Sequence, residues 1–419
     1  MGPISDWNAA AATAECCCHA GSWLAGSKRS SHEDLMDHPQ PEKPQIVFLF
    51  SDTGGGHRSG AEAIIEAINL EFPGQYAMAM VDIFTEYAPI PFNRAPQFWP
   101  ALSAMKDFWK FSYEVSNGRR RIRSFYSMVY PLVRRSVHRL VDENPCDLLV
   151  SLHPIANTLV LRALGKRRRV PFATVVTDMV STHASWYDPR ADLVIVSTEI
   201  ARLHALKNGL DPRRVKVVGM PVADRFCQPM GDRTLLRKKI GWPVDLPVVL
   251  LVGGGDGMGP LEQNALAIQN TNCRAALVVI CGRNRKLRAH IEGHDWNMPT
   301  FIYGFVNEMP DFMRAADILV TKAGPGTISE GFIAGLPMIL YSRVPGQEDG
   351  NVTYVVNEGA GLWAPHPEQT AELVKSWLED PGERQRFAAR SCELARPQAT
   401  REIARWLVAQ VGRKAGEID

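Results

Sequence analysis

The run Gln45-Ile46-Val47-Phe48-Leu49-Phe50 passes without a break into Ser51-Asp52-Thr53-Gly54-Gly55-Gly56-His57, and from there into a segment whose Ala61, Ile64, Ile65 and Ile68 share one helical face. A short, continuous apolar run marks a strand buried on both faces, and a parallel sheet provides that burial. Strand, Gly-rich turn and helix in that order commit this part of the chain to an open α/β sheet. The pattern begins a second time at Val248–Val252, which leads into Gly253-Gly254-Gly255-Asp256-Gly257-Met258-Gly259-Pro260. Single cores rarely grow past about 250–300 residues, so 419 residues with two such beginnings read as two domains.

The pattern predicts strands at Tyr76–Asp82, Asp147–Ser151, Phe172–Thr177, Leu193–Ser197 and Val215–Val218 in the first half. In the second half it predicts strands at Leu277–Cys281, Thr300–Tyr303, Ile318–Thr321 and Met338–Tyr341. The expected organisation is a disordered tail over 1–43, a first domain over 44–222 and a second over 223–395. A C-terminal helix within 396–419 could then pack back on the first domain. The segment Glu86–Arg139 is rich in aromatic residues and carries Arg119, Arg120, Arg121, Arg123, Arg134 and Arg135. It reads either as helices with a solvated basic face or as a surface that meets an anionic bilayer.

A net charge of +2 argues against a nucleic-acid partner held by bulk electrostatics. Of the eight cysteines, Cys16, Cys17 and Cys18 are adjacent and the rest are scattered, with no spacing that suggests a metal site or a disulfide framework. No apolar run reaches the ~20 residues of a membrane-spanning helix. The tail lacks a basic start followed by an apolar core, so no secretory signal is expected.

Three loops carry the chemistry. In the first, glycines let a ligand approach the backbone, and His57 at the helix start is suited to take a proton from a hydroxyl. A histidine that only caps the helix is the plainer reading. The second loop, with Gly253, Gly254, Gly255 and Met258, again follows a strand and permits close backbone approach. The third is Thr321-Lys322-Ala323-Gly324-Pro325-Gly326-Thr327-Ile328-Ser329-Glu330. Its tight turn into a helix, with free amides and the Thr327 hydroxyl, can hold a diphosphate, and Glu330 one turn on can bind the hydroxyls of a ribose. A fourth stretch, Gly346-Gln347-Glu348-Asp349-Gly350-Asn351, has polar groups suited to a sugar. The P-loop pattern is absent, which counts against an NTPase.

The motifs SDTGGGHRSGAEAI (Ser51–Ile64), KAGPGTISEGFIAGLP (Lys322–Pro337) and GQEDGNVTYVV (Gly346–Val356) resemble those of the monogalactosyldiacylglycerol synthases and related bacterial diacylglycerol glycosyltransferases. The resemblance covers about residues 45 to 395. It implies a GT-B fold, two Rossmann-like domains facing across a cleft, of the glycosyltransferase family 28 kind. The implied reaction is inverting and metal-independent, with diacylglycerol bound by the first domain and a UDP-hexose by the second. By this resemblance His57 is the base or positions the acceptor, with Asp178 a second catalytic candidate that could orient it or raise its basicity. Gly54, Gly55, Gly56, His183 and Trp186 lie on the acceptor side. Gly324, Pro325, Gly326 and Thr327 hold the diphosphate, Glu330 the ribose, Phe305 and Val306 the uracil, and Gln347 and Glu348 the sugar, with Asn351 supporting their loop. The donor is then a substrate and no cofactor is expected. No Asp-x-Asp pattern of a metal-using sugar transferase occurs. The expected setting is the cytoplasm, attached peripherally to the inner face of an anionic membrane. Galactose is the expected sugar with glucose the near alternative, and a non-catalytic sugar-nucleotide or lipid-binding protein is the alternative of another class.

Overall fold

The structure, a computed structural model, describes residues 43–53, 55–94, 97, 105–165 and 170–415. Gly54, Phe98, Trp99 and the expected tail up to residue 42 lie outside them. The first sheet contains β1 (Gln45–Phe50), β2 (Ala77–Asp82), β3 (Leu148–Ser151), β4 (Phe172–Val175), β5 (Leu193–Val196) and β6 (Val215–Val217), in the order β2-β1-β3-β4-β5-β6. The second contains β7 (Val248–Val252), β8 (Ala276–Ile280), β9 (Thr300–Tyr303), β10 (Ile318–Lys322), β11 (Met338–Ser342) and β12 (Gly361–Trp363), in the order β12-β11-β10-β7-β8-β9. Each strand pairs parallel to its neighbours. The edge strand β12 was not foreseen; it is three residues long and too short to show a pattern.

Successive side chains of β1 serve opposite faces. Val47 and Leu49 join one apolar cluster, and Ile46 and Phe48 join another that includes Ile64 and Ile68 of the Gly56–Glu71 helix. The second sheet is filled on both faces in the same way. This double burial explains the unbroken apolar runs.

Two connections tie the lobes together. Met179 and Val180, past β4, and Met220 and Val222, past β6, pack into the core of the second lobe. The Ala399–Val408 helix returns to the first lobe, burying Ile403, Ala404 and Leu407 beside β1 and its helix. Arg401 and Arg405 of that helix bridge to Glu71 at 3.2 and 2.7 Å.

In an open parallel sheet, ligands bind beyond the carboxyl ends of the strands, where the order reverses. In the first lobe that point lies between β1 and β3, and in the second between β7 and β10. Three of the Gly-rich or His-bearing loops picked out above follow β1, β7 and β10.

Candidate active site in the cleft

Gly55 caps the Gly56–Glu71 helix with φ +74°, a left-handed conformation that glycine adopts without strain. His57 follows in the first turn. Its Nδ1 lies 2.8 Å from Thr177 Oγ1, a residue just past β4. Its ring meets the edge of His153 at 4.8 Å between centroids, with Trp186 at 6.0 Å. His153 follows β3 across the switch point. Its Nδ1 accepts from the Ile155 amide at 3.4 Å, so Nε2 carries the proton and donates toward Thr53 Oγ1 at 3.3 Å. Burial pushes His57 down to about 4, a backbone hydrogen bond at Leu152 opposing it. Burial, with the adjacent His57, holds His153 well below the usual imidazole range. Both rings are therefore neutral at pH 7.

Asp178 does not orient His57, as the resemblance suggested it could; Thr177 does. The Asp178 carboxylate instead accepts from Trp186 Nε1 at 2.6 Å and from Gln347 Nε2 at 3.0 Å. Burial raises it to about 6, outweighing both hydrogen bonds. Trp186 is fully buried and acts behind Asp178. His183 has both ring nitrogens engaged, Nδ1 with Ser185 Oγ at 2.7 Å and Nε2 with Ser116 Oγ at 3.1 Å, and its ring meets the edge of Tyr113 at 4.8 Å. It holds the helix Lys106–Ser116 against the first lobe.

In the second lobe, Gly253, Gly254 and Gly255 turn tightly after β7. Gly257 packs so closely on the loop after β8 that a Cβ there would lie 2.3 Å from the Cys281 carbonyl oxygen, so only glycine fits. Met258 closes the turn, its amide bonding the Gly253 carbonyl at 2.7 Å and its own carbonyl accepting from the Tyr341 hydroxyl at 3.3 Å. After β10, Gly324 caps the Pro325–Ile333 helix with Pro325 in its first position. Gly326 and Thr327 bring up the amides of that first turn, which have no partner within the helix. Glu330 is half-buried, and its carboxylate makes no hydrogen bond to a described residue. Burial raises it to about 7, with Arg225 opposing. Phe305, past β9, is exposed beneath the Arg283 guanidinium, and Val306 beside it is half-buried.

Glu348 is buried, and both its oxygens are taken: Oε1 accepts from Lys322 Nζ at 2.6 Å and Oε2 from the Val344 amide at 2.7 Å. Asn351 donates to the Ala323 carbonyl at 2.9 Å, which ties the loop after β11 to the loop after β10.

Two cations to which the sequence reading gave no role stand in this cleft. Lys322 lies between two glycines: a Cβ on Gly254 would meet its Cε at 3.2 Å, and one on Gly324 its Nζ at 3.1 Å. Arg283 lies between the lobes, since a Cβ on Gly55 or on Gly255 would each meet its Nη2 at 3.4 Å. Arg283 also bonds Asp256 at 3.1 Å. Nothing local marks Arg283, which precedes an ordinary helix. Lys322 ends a strand whose pairing with β11 slips between Thr321 and Lys322.

A family model for monogalactosyldiacylglycerol (MGDG) synthase matches residues 57–222, and one for the glycosyltransferase family 28 C-terminal domain matches residues 248–403. The chain is 35% identical over 380 residues to monogalactosyldiacylglycerol synthase 1, chloroplastic, of Arabidopsis thaliana, covering 88% of this chain and 71% of the relative. It is 38% identical over 377 residues to the chloroplastic enzyme of that name from Spinacia oleracea, covering 87% and 72%. The chain belongs to the monogalactosyldiacylglycerol synthase family. It is a glycosyltransferase. The crystal structure of Acinetobacter baumannii MurG, 14% identical, superposes with a TM-score of 0.56 over 87% of this chain and 99% of MurG. That likeness shows the GT-B fold of this MGDG synthase family member. The first family match ends at residue 222, just past β6, and the second begins at residue 248 with β7, on either side of the passage from one sheet to the other.

Proposed function

We propose that this enzyme transfers galactose from UDP-galactose to the free hydroxyl of diacylglycerol, in one inverting displacement that needs no metal. One observation carries the reading. A neutral imidazole at the switch point of the first lobe stands across Arg283 from two glycine loops, Lys322 and an open helix start at the switch point of the second.

In this reading the diphosphate rests on the amides of Gly326 and Thr327, with Lys322 and Arg283 opposing its charge. Glu330 accepts from the ribose hydroxyls, which gives its half-buried carboxylate the partners it lacks in the fold. The backbone at Phe305 and Val306 reads the uracil, and Gln347 meets the sugar, while Glu348, buried with both oxygens engaged, holds Lys322 in place rather than touching the sugar as the resemblance implied. The acceptor hydroxyl oxygen forms a bond to the anomeric carbon as that carbon's bond to the β-phosphate oxygen breaks. Its proton passes to His57, and UDP leaves with the bonding pair. A single displacement turns the α-linked donor into a β-galactoside.

The acceptor is a lipid, and two helices of the first lobe fit a membrane surface. Phe108, Phe111 and Val115 are exposed along the Lys106–Ser116 helix, and Phe125, Met128 and Leu132 along the Arg119–Glu143 helix. Both sets follow the i, i+3, i+7 spacing of one helical face. The core face of the second helix is a different one, formed by Ile122, Tyr126 and Tyr130. Arg120, Arg123, Arg134 and Arg135 are exposed on the same helix. No helix among the described residues is long and apolar enough to cross a membrane. We read this face as the one that docks on an anionic bilayer.

The test is to incubate the purified protein with diacylglycerol in anionic vesicles and, separately, each UDP-hexose, with and without a chelator. Lipid products are read by mass spectrometry and their anomeric configuration by NMR. A β-galactosyldiacylglycerol formed equally with chelator is expected. Product from UDP-glucose alone would reassign the donor, and no glycosylated diacylglycerol would end the reading.

A further inference from the structure

We propose that Glu262, His290 and His294 form a binding site for one divalent transition metal of the zinc class on the second lobe, built from residues that the transfer reaction does not use. Glu262 lies in the first turn of the Leu261–Asn270 helix, and His290 in the last turn of the Arg285–Glu292 helix, with His294 four residues on. That spacing returns the second imidazole to the same side of the helix end. Nε2 of His294 lies 2.7 Å, and Nε2 of His290 3.0 Å, from the same Glu262 oxygen. All three donor atoms lie within 4.8 Å of one another. Tetrahedral zinc with bonds of about 2.0–2.2 Å sets its ligands about 3.4 Å apart, so rotamer adjustments alone would seat the ion.

Both histidines meet a single carboxylate oxygen, an arrangement in which a shared cation would replace two competing hydrogen bonds. The surroundings favour a fixed site. Ile291 is fully buried and anchors the helix end between the two imidazoles. Trp296 packs against the His294 ring at 6.1 Å and donates to the Ile291 carbonyl at 3.2 Å. Glu262 is largely withdrawn from solvent, while His290 stays open, which leaves a route for the ion and a fourth position for water. Two imidazoles and one carboxylate suit zinc, cobalt, nickel or copper rather than magnesium or calcium, which take oxygen ligands.

The site joins two helices whose starts serve the cleft. Glu262 stands two residues past the glycine loop after β7, and the His290 helix starts two residues past Arg283. A bound metal clamps those helices from the outside. A chelator then lowers the melting temperature without touching the chemistry of the diphosphate.

The experiment uses the full chain carrying Cys16→Ser, Cys17→Ser and Cys18→Ser, which removes the adjacent thiolates as competing ligands. After metal stripping it is titrated with Co2+ and followed by visible absorption, then with Zn2+ as competitor. One equivalent of Co2+ with the strong bands of a four- or five-coordinate ion is expected, displaced by Zn2+. His294→Ala should abolish the bands, and Glu262→Gln should weaken binding at least about tenfold, both with a cooperative thermal transition retained. Absence of saturable bands in the chain with the three serines, or bands unchanged in both variants, would overturn the proposal.

Discussion

Asp178 of the first lobe accepts a hydrogen bond from Gln347 of the second at 3.0 Å while its other oxygen holds Trp186. The Gly350 amide also bonds Ser181 Oγ, at 2.8 Å, so the loop after β11 is tied to the first lobe at two points. Only a carboxylate has an acceptor for each partner of Asp178. An amide has one, and so has a protonated carboxyl.

Asp178→Asn should therefore break this bond or force Gln347 to turn its amide over and accept, and raise the donor KM about tenfold, the effect of losing one hydrogen bond, with kcat less affected. The same logic gives a pH dependence. Besides Trp186 and Gln347, the charged or titratable groups acting on or near Asp178 are Glu348, Tyr113 and Tyr187. As pH falls through about 6, Asp178 protonates and donor affinity falls. For stability the sign is opposite: the folded pKa lies above the unfolded 3.8, so stability declines as pH rises from about 4 to about 6. Steady-state kinetics and melting curves across that window should show both slopes in the wild type and neither in Asp178→Asn.

His57 is neutral well below pH 7, so it can take a proton without first losing one. His57→Ala should lower kcat by about 10²–10⁴-fold and leave UDP affinity, measured by calorimetry, unchanged. Thr177→Val removes the partner of Nδ1 and should lower kcat about tenfold, without the loss seen for His57→Ala. The depressed pKa, about 4 against 6.5, contributes stability that is present above pH 6.5 and lost as pH falls toward 4. His57→Ala should flatten that part of the stability curve. Equal kcat in wild type and His57→Ala would remove the imidazole from the reaction.

The two sheets were legible because buried parallel strands are written as continuous Val, Ile and Leu runs and because glycine turns are local. The partners inside the cleft were not. Thr177 stands 120 residues from His57, and Gln347 stands 169 from Asp178. Only the strand order brings β4 beside the β1 switch point, and only the packing of Met179 and Val180 into the second lobe brings Asp178 to Gln347. The sequence reading was thus one residue off in assigning the partner of His57. Arg283 gave no signal, because its place is set by where the two glycine loops approach. Aromatic and basic residues over Glu86–Arg139 were visible, but which of them face solvent depends on which helical face the core takes.

Glu330 combines a half-buried carboxylate with no hydrogen-bond partner among the described residues. Its pKa rises from 4.5 to about 7, so ionising it costs stability over that window, and the cost is full above pH 7. Glu330→Gln should raise the melting temperature of the ligand-free protein at pH 8 and have little effect near pH 4. The same change should weaken UDP binding about tenfold or more, since an amide accepts the ribose hydroxyls less strongly than a carboxylate. A stabilised protein that binds UDP as tightly as wild type would reject the ribose assignment. A gain in stability that comes with weaker binding is the expected signature of a residue kept for its ligand.

The exposed stripes of the first lobe give the last prediction. Phe111, Met128 and Leu132 are 65%, 69% and 70% exposed, so each can enter a bilayer without disturbing the core. Burying one such side chain is worth about 1.5–3 kcal/mol. The triple variant Phe111→Ser, Met128→Ser, Leu132→Ser should thus lower vesicle partitioning by more than about 100-fold in a flotation assay, with UDP affinity intact. Arg134→Ala with Arg135→Ala should act differently, weakening attachment only to anionic vesicles and only at low salt, because exposed charges are screened. Transfer to diacylglycerol in vesicles should fall in step with flotation, while transfer to detergent-dispersed diacylglycerol should stay near wild type. Flotation unaffected by the triple change would show that the lipid is met by another face. Loss of transfer in vesicles and detergent alike would place these side chains in acceptor binding rather than in membrane docking.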